Sequence, residues 1–294
     1  MMARAGMTPP ENLTPGAITV GALTRTYLTA PVPPPGAPIL IVLHGAGGAG
    51  LGTAALTGLH TRGPAAGFCT VFPDGWRRVW NDQRDAPRLK RREGVDDVAF
   101  LTALVARLGA EHGAGTAVWA AGMSNGAFLA EHLARHERLP LAGIALVAGS
   151  ATVSSRQALP QPGRPTTVVA FHGTADPLVP YGGGPIGPRG RLAQRRAGGD
   201  RGVAAPIEAV AADWAATNGC PPTPVVVPVP GGTLPTTRMT WAASGRPAVV
   251  LHRVDGGGHT WPGGAQYLPE RLVGPVARRL DATGIILSAF SGRP

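Results

Sequence analysis

The feature that most constrains this chain is a series of short apolar runs, each ended by turn residues. Six such runs recur along the sequence: PILIVLHG, FCTVFPDG, TAVWAAG, LAGIALVAG, TTVVAFHG and PAVVLHRVDGGG. Several are apolar at consecutive positions, which is typical of parallel strands because both faces of a parallel sheet are covered. Strands that alternate with helices form βαβ units. We therefore predict an α/β fold in which helices flank a mostly parallel central sheet.

The segments between these runs have helical character. They predict four helices, at residues 96–112, 124–138, 206–218 and about 265–280. An earlier segment, AITVGALTRTYLTA, alternates polar and apolar residues instead. This alternation predicts an antiparallel hairpin at one edge of the sheet.

The length of 294 residues suffices for one large α/β domain or two small ones, and no linker divides the sequence clearly. We predict an N-terminal tail at residues 1–17 and a single domain over residues 18–294. Residues 182–205 form an extended low-complexity region rich in Gly, Arg and Pro. Such a variable stretch is usually a mobile surface loop, and a lid or substrate-binding loop is the alternative.

The formal net charge of +10 raises the question of nucleic-acid binding. The basic residues gather in two stretches that look like loops, residues 77–92 and 187–201. Neither stretch has the pattern of a recognition helix or of a sheet with interleaved aromatic residues. We therefore interpret the charge as solvated loops and expect no nucleic-acid partner. The 44% of apolar residues is typical of a globular chain and excludes a disordered one.

Two cysteines, Cys69 and Cys220, are too few for a disulfide scaffold and lack the spacing of metal ligands. Cys69 lies in an apolar run, which favours a buried free thiol, although one disulfide stays open. The N-terminal segment has no apolar run long enough for a signal peptide or a membrane anchor. We expect no membrane association, a monomer, and either a cytoplasmic location or an export signal that this sequence lacks.

One serine stands in a setting typical of a nucleophile. Gly122-Met123-Ser124-Asn125-Gly126 lies between a predicted strand and a predicted helix, the context of a G-x-S-x-G nucleophile elbow. Small residues two before and two after the serine let a sharp turn bring neighbouring backbones close together. The N-terminus of the following helix presents unpaired N–H groups to a developing oxyanion. The alternative is an ordinary serine in a turn.

A nucleophilic serine needs a base and a carboxylate that orients the base. His259 follows three glycines after the last apolar run, and Asp176 follows the run TTVVAFHG. Asp255 lies only four residues before His259 and is poorly placed to face that ring. The alternatives are a surface histidine and an aspartate that merely stabilises a turn. The order Ser124, Asp176, His259 is the order found in α/β-hydrolases.

The segment IVLHGAGGAG supplies the remaining element of such a site. Its strand ends at His44-Gly45, and the residues that follow expose backbone N–H groups with no bulky side chain in the way. We predict an oxyanion hole formed by the N–H groups of Ala46 and Asn125. The segment lacks the Gly-Lys-Ser/Thr of a P-loop, so we expect neither nucleotide binding nor a cofactor.

Other polar residues have simpler explanations. Asp96 and Asp97 open a predicted helix, where capping explains them and a supporting role in the site is the alternative. His132 and His136 are four residues apart and share a helix face, as two metal ligands could. No glutamate follows the first histidine as a zinc-protease motif requires. We interpret both as surface histidines and expect no metal.

Eight motifs together resemble one family, the polyhydroxybutyrate depolymerase-like esterases, which include feruloyl and acetylxylan esterases. The motifs fall in order between about residues 18 and 290: LHGAGG, FPDG, WN, GVDDVAFL, GMSNGA, FHGTADPLVPYGGG, WAATNGC and GGGHTWPGG. The resemblance implies an α/β-hydrolase fold, no cofactor, and ester hydrolysis through an acyl-enzyme on Ser124. The chain departs from the family after Trp80-Asn81, where members often carry paired cysteines and this chain is basic.

The resemblance also implies that Trp80, Asn81 and Trp261 lie near the substrate cleft, and we expect His44 to bind substrate with them. Members are commonly exported, so an extracellular location is expected by resemblance alone. The natural ester stays open between polyhydroxyalkanoate, other polyesters, and feruloylated or acetylated polysaccharide. The alternatives to ester hydrolysis are an acyltransferase with the same triad and a non-catalytic polymer-binding protein on a hydrolase fold.

Overall fold

The computed structural model describes residues 10, 12–84, 94–113, 117–188 and 201–292. The strands in this part of the chain are β1 (Thr14–Val20), β2 (Leu23–Thr29), β3 (Ile39–Leu43), β4 (Cys69–Pro73), β5 (Val118–Met123), β6 (Leu141–Val147), β7 (Thr167–Gly173), β8 (Gly184–Pro185), β9 (Val203–Ala204), β10 (Val225–Val229), β11 (Thr236–Trp241) and β12 (Val249–Val254). The helices are α1 (Gly50–Thr57), α2 (Leu59–Ala65), α3 (Asp97–His112), α4 (Asn125–Arg135), α5 (Val153–Ala158), α6 (Ile207–Thr217), α7 (Glu270–Val273) and α8 (Ala282–Ser291), with a 3-10 helix at Trp76–Arg78.

A ten-stranded sheet forms the centre of the molecule, in the order β1-β2-β4-β3-β5-β6-β7-β12-β11-β10. Its six middle strands, from β4 to β12, are parallel. The strands at both edges are antiparallel, and β1 with β2 is the hairpin expected there. The predicted α/β fold with a mostly parallel sheet is confirmed.

The middle strands form because their side chains are apolar on both faces. All five residues of β3 are buried. Ile39 and Ile41 join one core cluster, whereas Leu40 and Val42 join the other. Helices α3, α4 and α6 cover the first face, and α1, α2 and α8 cover the second. Consecutive apolar residues are therefore what a strand between two helical layers needs.

The helices predicted at 96–112, 124–138 and 206–218 are present, each within a few residues. The helix predicted at about 265–280 is wrong. That region contains only the single turn α7, and α8 begins later, at Ala282. Pro269, Gly274 and Pro275 interrupt the segment, because proline cannot continue a helix and Gly274 has a positive φ of 77°.

Strands β10 and β11 are absent from the sequence-based expectation. β10 (VVVPV) lies at the outer edge of the sheet, and Val225 and Val226 are 68% and 56% exposed. Its residues therefore show neither the burial of a middle strand nor a regular alternation. Pro228 is tolerated there because an edge strand need not donate a hydrogen bond at every position.

The ends of the low-complexity region pair with each other, β8 with β9. Residues 189–200 of that region, the basic segment 85–93, and residues 1–9 and 11 of the tail lie outside the described residues. Cys69 and Cys220 are free thiols, and burial raises the pKa of Cys69 to about 11. None of the helices seen in the described ranges has the length and apolarity to cross a bilayer.

Candidate active site

Ser124 lies in a strained turn between β5 and α4. Its φ is 53° and its ψ is −119°, a conformation that L-residues rarely adopt. A Cβ added to Gly122 would lie 2.3 Å from the carbonyl of Gly126, and one added to Gly126 would lie 2.4 Å from the oxygen of Leu43. The two glycines are therefore required by close backbone contacts, as the elbow reading predicts.

The hydroxyl of Ser124 does not cap the helix that follows it. Ser124 is the N-cap residue of α4, a position where serine usually accepts a hydrogen bond from a backbone N–H. Here the N–H groups of Ala127 and Phe128 donate to the backbone oxygen of Ser124, and its side chain makes no cap bond. The explanation of Ser124 as an ordinary capping serine therefore does not fit its geometry.

His259 and Asp176 are in direct contact. The Nδ1 of His259 lies 2.7 Å from the Oδ2 of Asp176, and both residues are buried. The other carboxylate oxygen accepts from the N–H groups of Leu178 and Val179, at 2.8 and 2.9 Å. Burial raises the pKa of Asp176, but the contacts with His259, a second histidine and the Val179 N–H together lower it below its usual value.

Asp255, the competing acid, is engaged elsewhere. Its carboxylate accepts a hydrogen bond from the Nε of Arg253 at 2.8 Å. The pairing with Asp176 favours the tautomer of His259 that carries its proton on Nδ1. The Nε2 atom is then available to accept a proton from a serine hydroxyl, as a general base must.

His172 is the second histidine beside Asp176, and it was not predicted. Its Nε2 lies 2.9 Å from the oxygen of Val179 and 3.6 Å from the Oδ2 of Asp176. Burial lowers the pKa of His172, and because a carbonyl oxygen can only accept, the Nε2–H of the ring donates to the oxygen of Val179. The motif TTVVAFHG ends in this residue, but an apolar run ending in histidine does not by itself indicate such a role.

The loop that carries His259 is fixed by the segment after it. Tyr267 donates its hydroxyl to the backbone oxygen of His259 at 2.8 Å. The N–H of His259 donates to the oxygen of Val273, and Gln266 donates to the oxygen of Gly274. Sequence reasoning missed Tyr267 and Gln266 because it assigned both to a helix.

The predicted oxyanion loop begins where β3 ends. β3 and β5 are neighbouring parallel strands in which Leu43 pairs with Gly122, so the loop starts beside the elbow. A Cβ added to Gly45 would lie 3.4 Å from the Cβ of Ser124. Ala46 is exposed, and within the described residues neither its N–H nor that of Asn125 donates to a protein acceptor. Both N–H groups are therefore free to bind a substrate oxygen.

His44 does not lie where substrate could touch it. Its side chain is fully buried, with Nδ1 2.8 Å from the oxygen of Gly45 and Nε2 accepting from the N–H of Gly75 at 2.9 Å. Burial lowers the pKa of His44 to about 4, so its ring is neutral. The substrate-binding role expected for His44 is thus replaced by a structural one, because both ring nitrogens bind the backbone beside the oxyanion loop.

Two of the three residues placed near the cleft by resemblance are also buried. Trp80 is fully buried and donates its indole N–H to the oxygen of His44 at 2.9 Å. Trp261 is 1% exposed and donates to the hydroxyl of Thr283 at 3.0 Å. Neither indole offers a surface to substrate. Asn81 is partly exposed, and its side-chain amide donates to the oxygen of Val95.

The acidic residues before α3 divide between two roles. Asp96 caps the helix by accepting from the N–H of Ala99. Asp97 is buried, pairs with Arg25 at 2.5 Å, and accepts from the N–H of Asn81 at 2.6 Å. The alternative of a supporting role is therefore realised for Asp97, which holds the segment that begins at Trp80.

His132 and His136 share a helix face, with ring centroids 4.6 Å apart. They are half-buried, whereas the sequence-based expectation put them at the surface. Burial lowers the pKa of His132 to about 4. Among the residues that the structure describes, no three metal-ligating side chains lie close enough to hold an ion.

No family model matches this chain. The Nocardia uniformis subsp. tsuyamanensis protein named Putative esterase NocK is 32% identical over 290 residues, which cover 94% of this chain and 81% of that protein. The acetyl xylan esterase from Aspergillus awamori has a TM-score of 0.56 and 14% identity, over 84% of this chain and 94% of its own. A thermostable esterase has a TM-score of 0.45 and 17% identity. That match covers 58% of this chain and 49% of the other, so this chain spans about half the length of that esterase.

Proposed function

This chain belongs to the esterases of the α/β-hydrolase family and is a carboxylic ester hydrolase, and from that premise we propose that Ser124, His259 and Asp176 form its catalytic triad. The single observation that carries the proposal is the 2.7 Å contact between His259 and Asp176. His259 follows β12 and Asp176 follows the neighbouring strand β7, and Ser124 follows β5. All three residues therefore lie beyond the carboxyl ends of parallel strands, on the same side of the sheet. A capping or solvated role explains neither this buried pair nor the uncapped serine.

Acylation transfers one proton and breaks one ester bond. Ser124 Oγ attacks the ester carbonyl carbon while its proton passes to Nε2 of His259. The negative charge on the carbonyl oxygen is stabilised by the N–H groups of Ala46 and Asn125, and Asp176 stabilises the imidazolium. When the tetrahedral intermediate collapses, the bond to the alcohol oxygen breaks and His259 returns its proton to that oxygen. The alcohol leaves, and the acyl group stays on Ser124.

Deacylation repeats the same steps with water. His259 accepts a proton from water as the water oxygen attacks the acyl carbon, and the oxyanion forms again in the same hole. Collapse breaks the bond to Ser124 Oγ, which takes the proton back from His259. The carboxylic acid is released and the enzyme is restored, with no oxidant, metal or cofactor needed for the balance.

For the substrate, the proposed class is an ester carried on a polymer, either a polyhydroxyalkanoate or an acetylated or feruloylated polysaccharide. The support is the eight-motif resemblance described above, together with the fold shared with the acetyl xylan esterase from Aspergillus awamori. Release of products from such a polymer is consistent with an extracellular location, which we include in the proposal.

The test begins with hydrolysis of p-nitrophenyl acetate by the wild type and by Ser124→Ala. We expect the substitution to lower kcat/KM by about 10⁴-fold or more and to abolish labelling by a fluorophosphonate. Wild-type activity in the variant would refute the triad. A screen on acetylated xylan, methyl ferulate and polyhydroxybutyrate particles then identifies the acyl class. Acyl transfer to added methanol that exceeds hydrolysis would instead indicate an acyltransferase.

A further inference from the structure

The side chain of Asn125, the residue after the nucleophile, is engaged on every side. Its Oδ1 accepts from the backbone N–H of Trp80 at 2.7 Å, and its Nδ2 donates to the backbone oxygen of Trp80 at 3.2 Å. The same Nδ2 donates to the carboxylate of Asp82 at 2.8 Å. Asn125 and Asp82 are 4% exposed, so water does not replace these bonds readily. One side chain therefore fixes the first turn of α4 to the segment at residues 80–82.

Only an amide satisfies this arrangement. An asparagine side chain has two N–H donors and one carbonyl oxygen. Here both donors have acceptors, and the oxygen accepts from a main-chain N–H. A carboxylate at position 125 could not donate to Trp80 or Asp82, and it would place two negative charges side by side in a buried place. The need for an asparagine at position 125 thus comes from Trp80 and Asp82, which lie far from it in the sequence.

The segment that Asn125 binds also holds the other half of the oxyanion hole. Trp80 donates its indole N–H to the backbone oxygen of His44, two residues before Ala46. Arg78 accepts from the N–H of Gly47 through its backbone oxygen at 2.7 Å and donates its Nε to the oxygen of Gly48 at 3.1 Å. The segment at 78–82 is therefore bonded to the loop that carries Ala46 and to the helix that begins at Asn125.

Arg84 fixes the far end of this arrangement. Its Nε lies 2.8 Å from both carboxylate oxygens of Asp82. Its guanidinium group lies 4.2 Å from the ring centroid of Phe128, on the same helix as Asn125. The positive charge keeps the buried Asp82 from placing an uncompensated negative charge near a developing oxyanion.

We propose that the side chain of Asn125, held by Trp80 and Asp82, is a positioning element that sets the distance between the two oxyanion-binding N–H groups. It acts through the backbone, since its amide touches the supporting segment and its own N–H touches the substrate oxygen. The inference rests on the proposed function, because it assigns a role within the same oxyanion hole. An error of about 1 Å in such a donor can cost about 100-fold in rate.

The chain offers a matched control for this amide. Asn218 is also buried, and its Oδ1 accepts from the backbone N–H of Thr166 at 2.8 Å. Its Nδ2 donates to the backbone oxygens of Thr166 and Pro247, each at 2.8 Å. It makes the same kind of bridge between an amide and the backbone, at the end of α6 and away from the elbow. Asn125→Ala and Asn218→Ala therefore remove comparable structural bonds at two places.

The experiment compares these two variants with the wild type and with Ser124→Ala. Thermal unfolding measures stability, and kcat is taken per site labelled to completion by a fluorophosphonate, so that unfolded molecules do not count. We expect both alanine variants to lose a similar amount of Tm. Only Asn125→Ala should lose kcat, by about 10- to 100-fold, with KM changed by less than about threefold. Its inhibition constant for an alkyl trifluoromethyl ketone, which forms a tetrahedral adduct on the serine, should rise by the same factor.

A wild-type kcat and an unchanged inhibition constant in Asn125→Ala would overturn the positioning role. An equal loss of kcat in Asn218→Ala would also overturn it, because the effect would then come from general destabilisation. If Asn125→Ala does not fold, Asn125→Ser keeps a neutral polar group at the position but is too short to bridge both Trp80 and Asp82, and the same comparison is made against Asn218→Ser. Activity retained in Ser124→Ala would refute the proposed function itself. The asparagine variants test only the positioning role, so the two failures are distinguishable.

Discussion

The proposed site has two sides, separated in the sheet by β6 and stabilised in different ways. The serine side comprises the ends of β3 and β5, with Ser124 and the two oxyanion donors. The histidine side comprises the ends of β7 and β12, with Asp176 and His259. The serine side holds its nucleophile in a strained backbone conformation, whereas the histidine side holds its base through a buried pair of side chains.

The two sides share tightly packed glycines but differ in how the reacting side chain is held. On the serine side, the residues around Ser124 are small because neighbouring backbones come within contact distance of one another. On the histidine side, the glycines before His259 are packed as closely, since a Cβ added to Gly258 would lie 2.1 Å from the oxygen of Val273. Tyr267 and Gln266 add side-chain hydrogen bonds to this loop and to the segment after it. Substitutions that add volume should therefore harm either side, whereas loss of the negative charge that Asp176 places beside His259 should harm the histidine side most.

Among the substitutions that compare the two sides, Asp176→Asn is expected to have the largest effect. The amide keeps the shape of the carboxylate but cannot stabilise an imidazolium, and it favours the wrong tautomer of His259. We expect kcat to fall by about 10³- to 10⁴-fold with little change in Tm. Asp255→Asn is the control, since Asp255 pairs with Arg253 away from the ring and should retain activity within about threefold. If Asp255→Asn were the inactive variant, the acid would have been assigned to the wrong residue.

Gly126→Ala tests the serine side with a single methyl group. The added carbon would lie 2.4 Å from the oxygen of Leu43, so β3 and α4 must move apart. We expect a loss of about 1–3 kcal/mol in the free energy of unfolding, together with about a tenfold or larger loss of kcat/KM. Gly109→Ala in α3 is the matched control, because its added carbon meets nothing within 4 Å. That variant should gain about 0.5–1 kcal/mol, measured by chemical denaturation. Two equally stable variants would contradict the steric reading of the elbow.

Most of the fold could be predicted from the sequence because it depends on local patterns, and the proposed triad was named from local motifs in the same way. Buried parallel strands are apolar at consecutive positions, and Ser124 lies in a motif whose small residues have a local steric cause. The antiparallel strand β10 was not predictable in this way. Its sequence VVVPV is apolar, but Pro228 interrupts the run and argues against a strand, whereas an edge strand with largely exposed side chains tolerates that proline.

The supporting residues could not be predicted, because their roles depend on contacts between distant segments. His44 and Trp80 were expected at the cleft, yet both are buried. Trp80 donates to the backbone oxygen of His44, and the His44 ring accepts from the N–H of Gly75. A buried tryptophan and a cleft tryptophan look alike in a sequence. Tyr267 was hidden for another reason, since its segment was assigned to a helix that Pro269 and Gly274 prevent.

The two sides also contain buried histidines that should make stability depend on pH. Burial lowers the pKa of His44, on the serine side, and of His252, on β12, to about 4 in each case. His252 stacks on Phe171, and Arg238 lowers its pKa further. The unfolded chain binds a proton at each histidine below about pH 6.5, whereas the folded chain does not until about pH 4.

The free energy of unfolding should therefore fall as the pH is lowered from about 6.5 to 4, by up to about 3 kcal/mol for each of these groups. His252→Phe keeps the stacked ring and removes the titrating group. We expect its unfolding free energy, measured by urea denaturation, to depend less steeply on pH than that of the wild type in this range. Identical slopes in the two proteins would mean that His252 is not buried as a neutral ring.

The smallest effect is expected from Tyr267→Phe, which removes one hydroxyl on the histidine side. The hydroxyl donates to the backbone oxygen of His259 at 2.8 Å, and the phenyl ring keeps the packing. Since one neutral hydrogen bond contributes about 1 kcal/mol to stability, we expect the free energy of unfolding to fall by about that amount and kcat to fall about three- to tenfold. Tyr181→Phe is the control, because its hydroxyl donates to Glu208 while its ring still meets His172 edge-on. A loss in Tyr181→Phe equal to that in Tyr267→Phe would show that the whole histidine side responds to any lost hydroxyl. A loss confined to Tyr267→Phe would show that the glycine loop depends on this one bond.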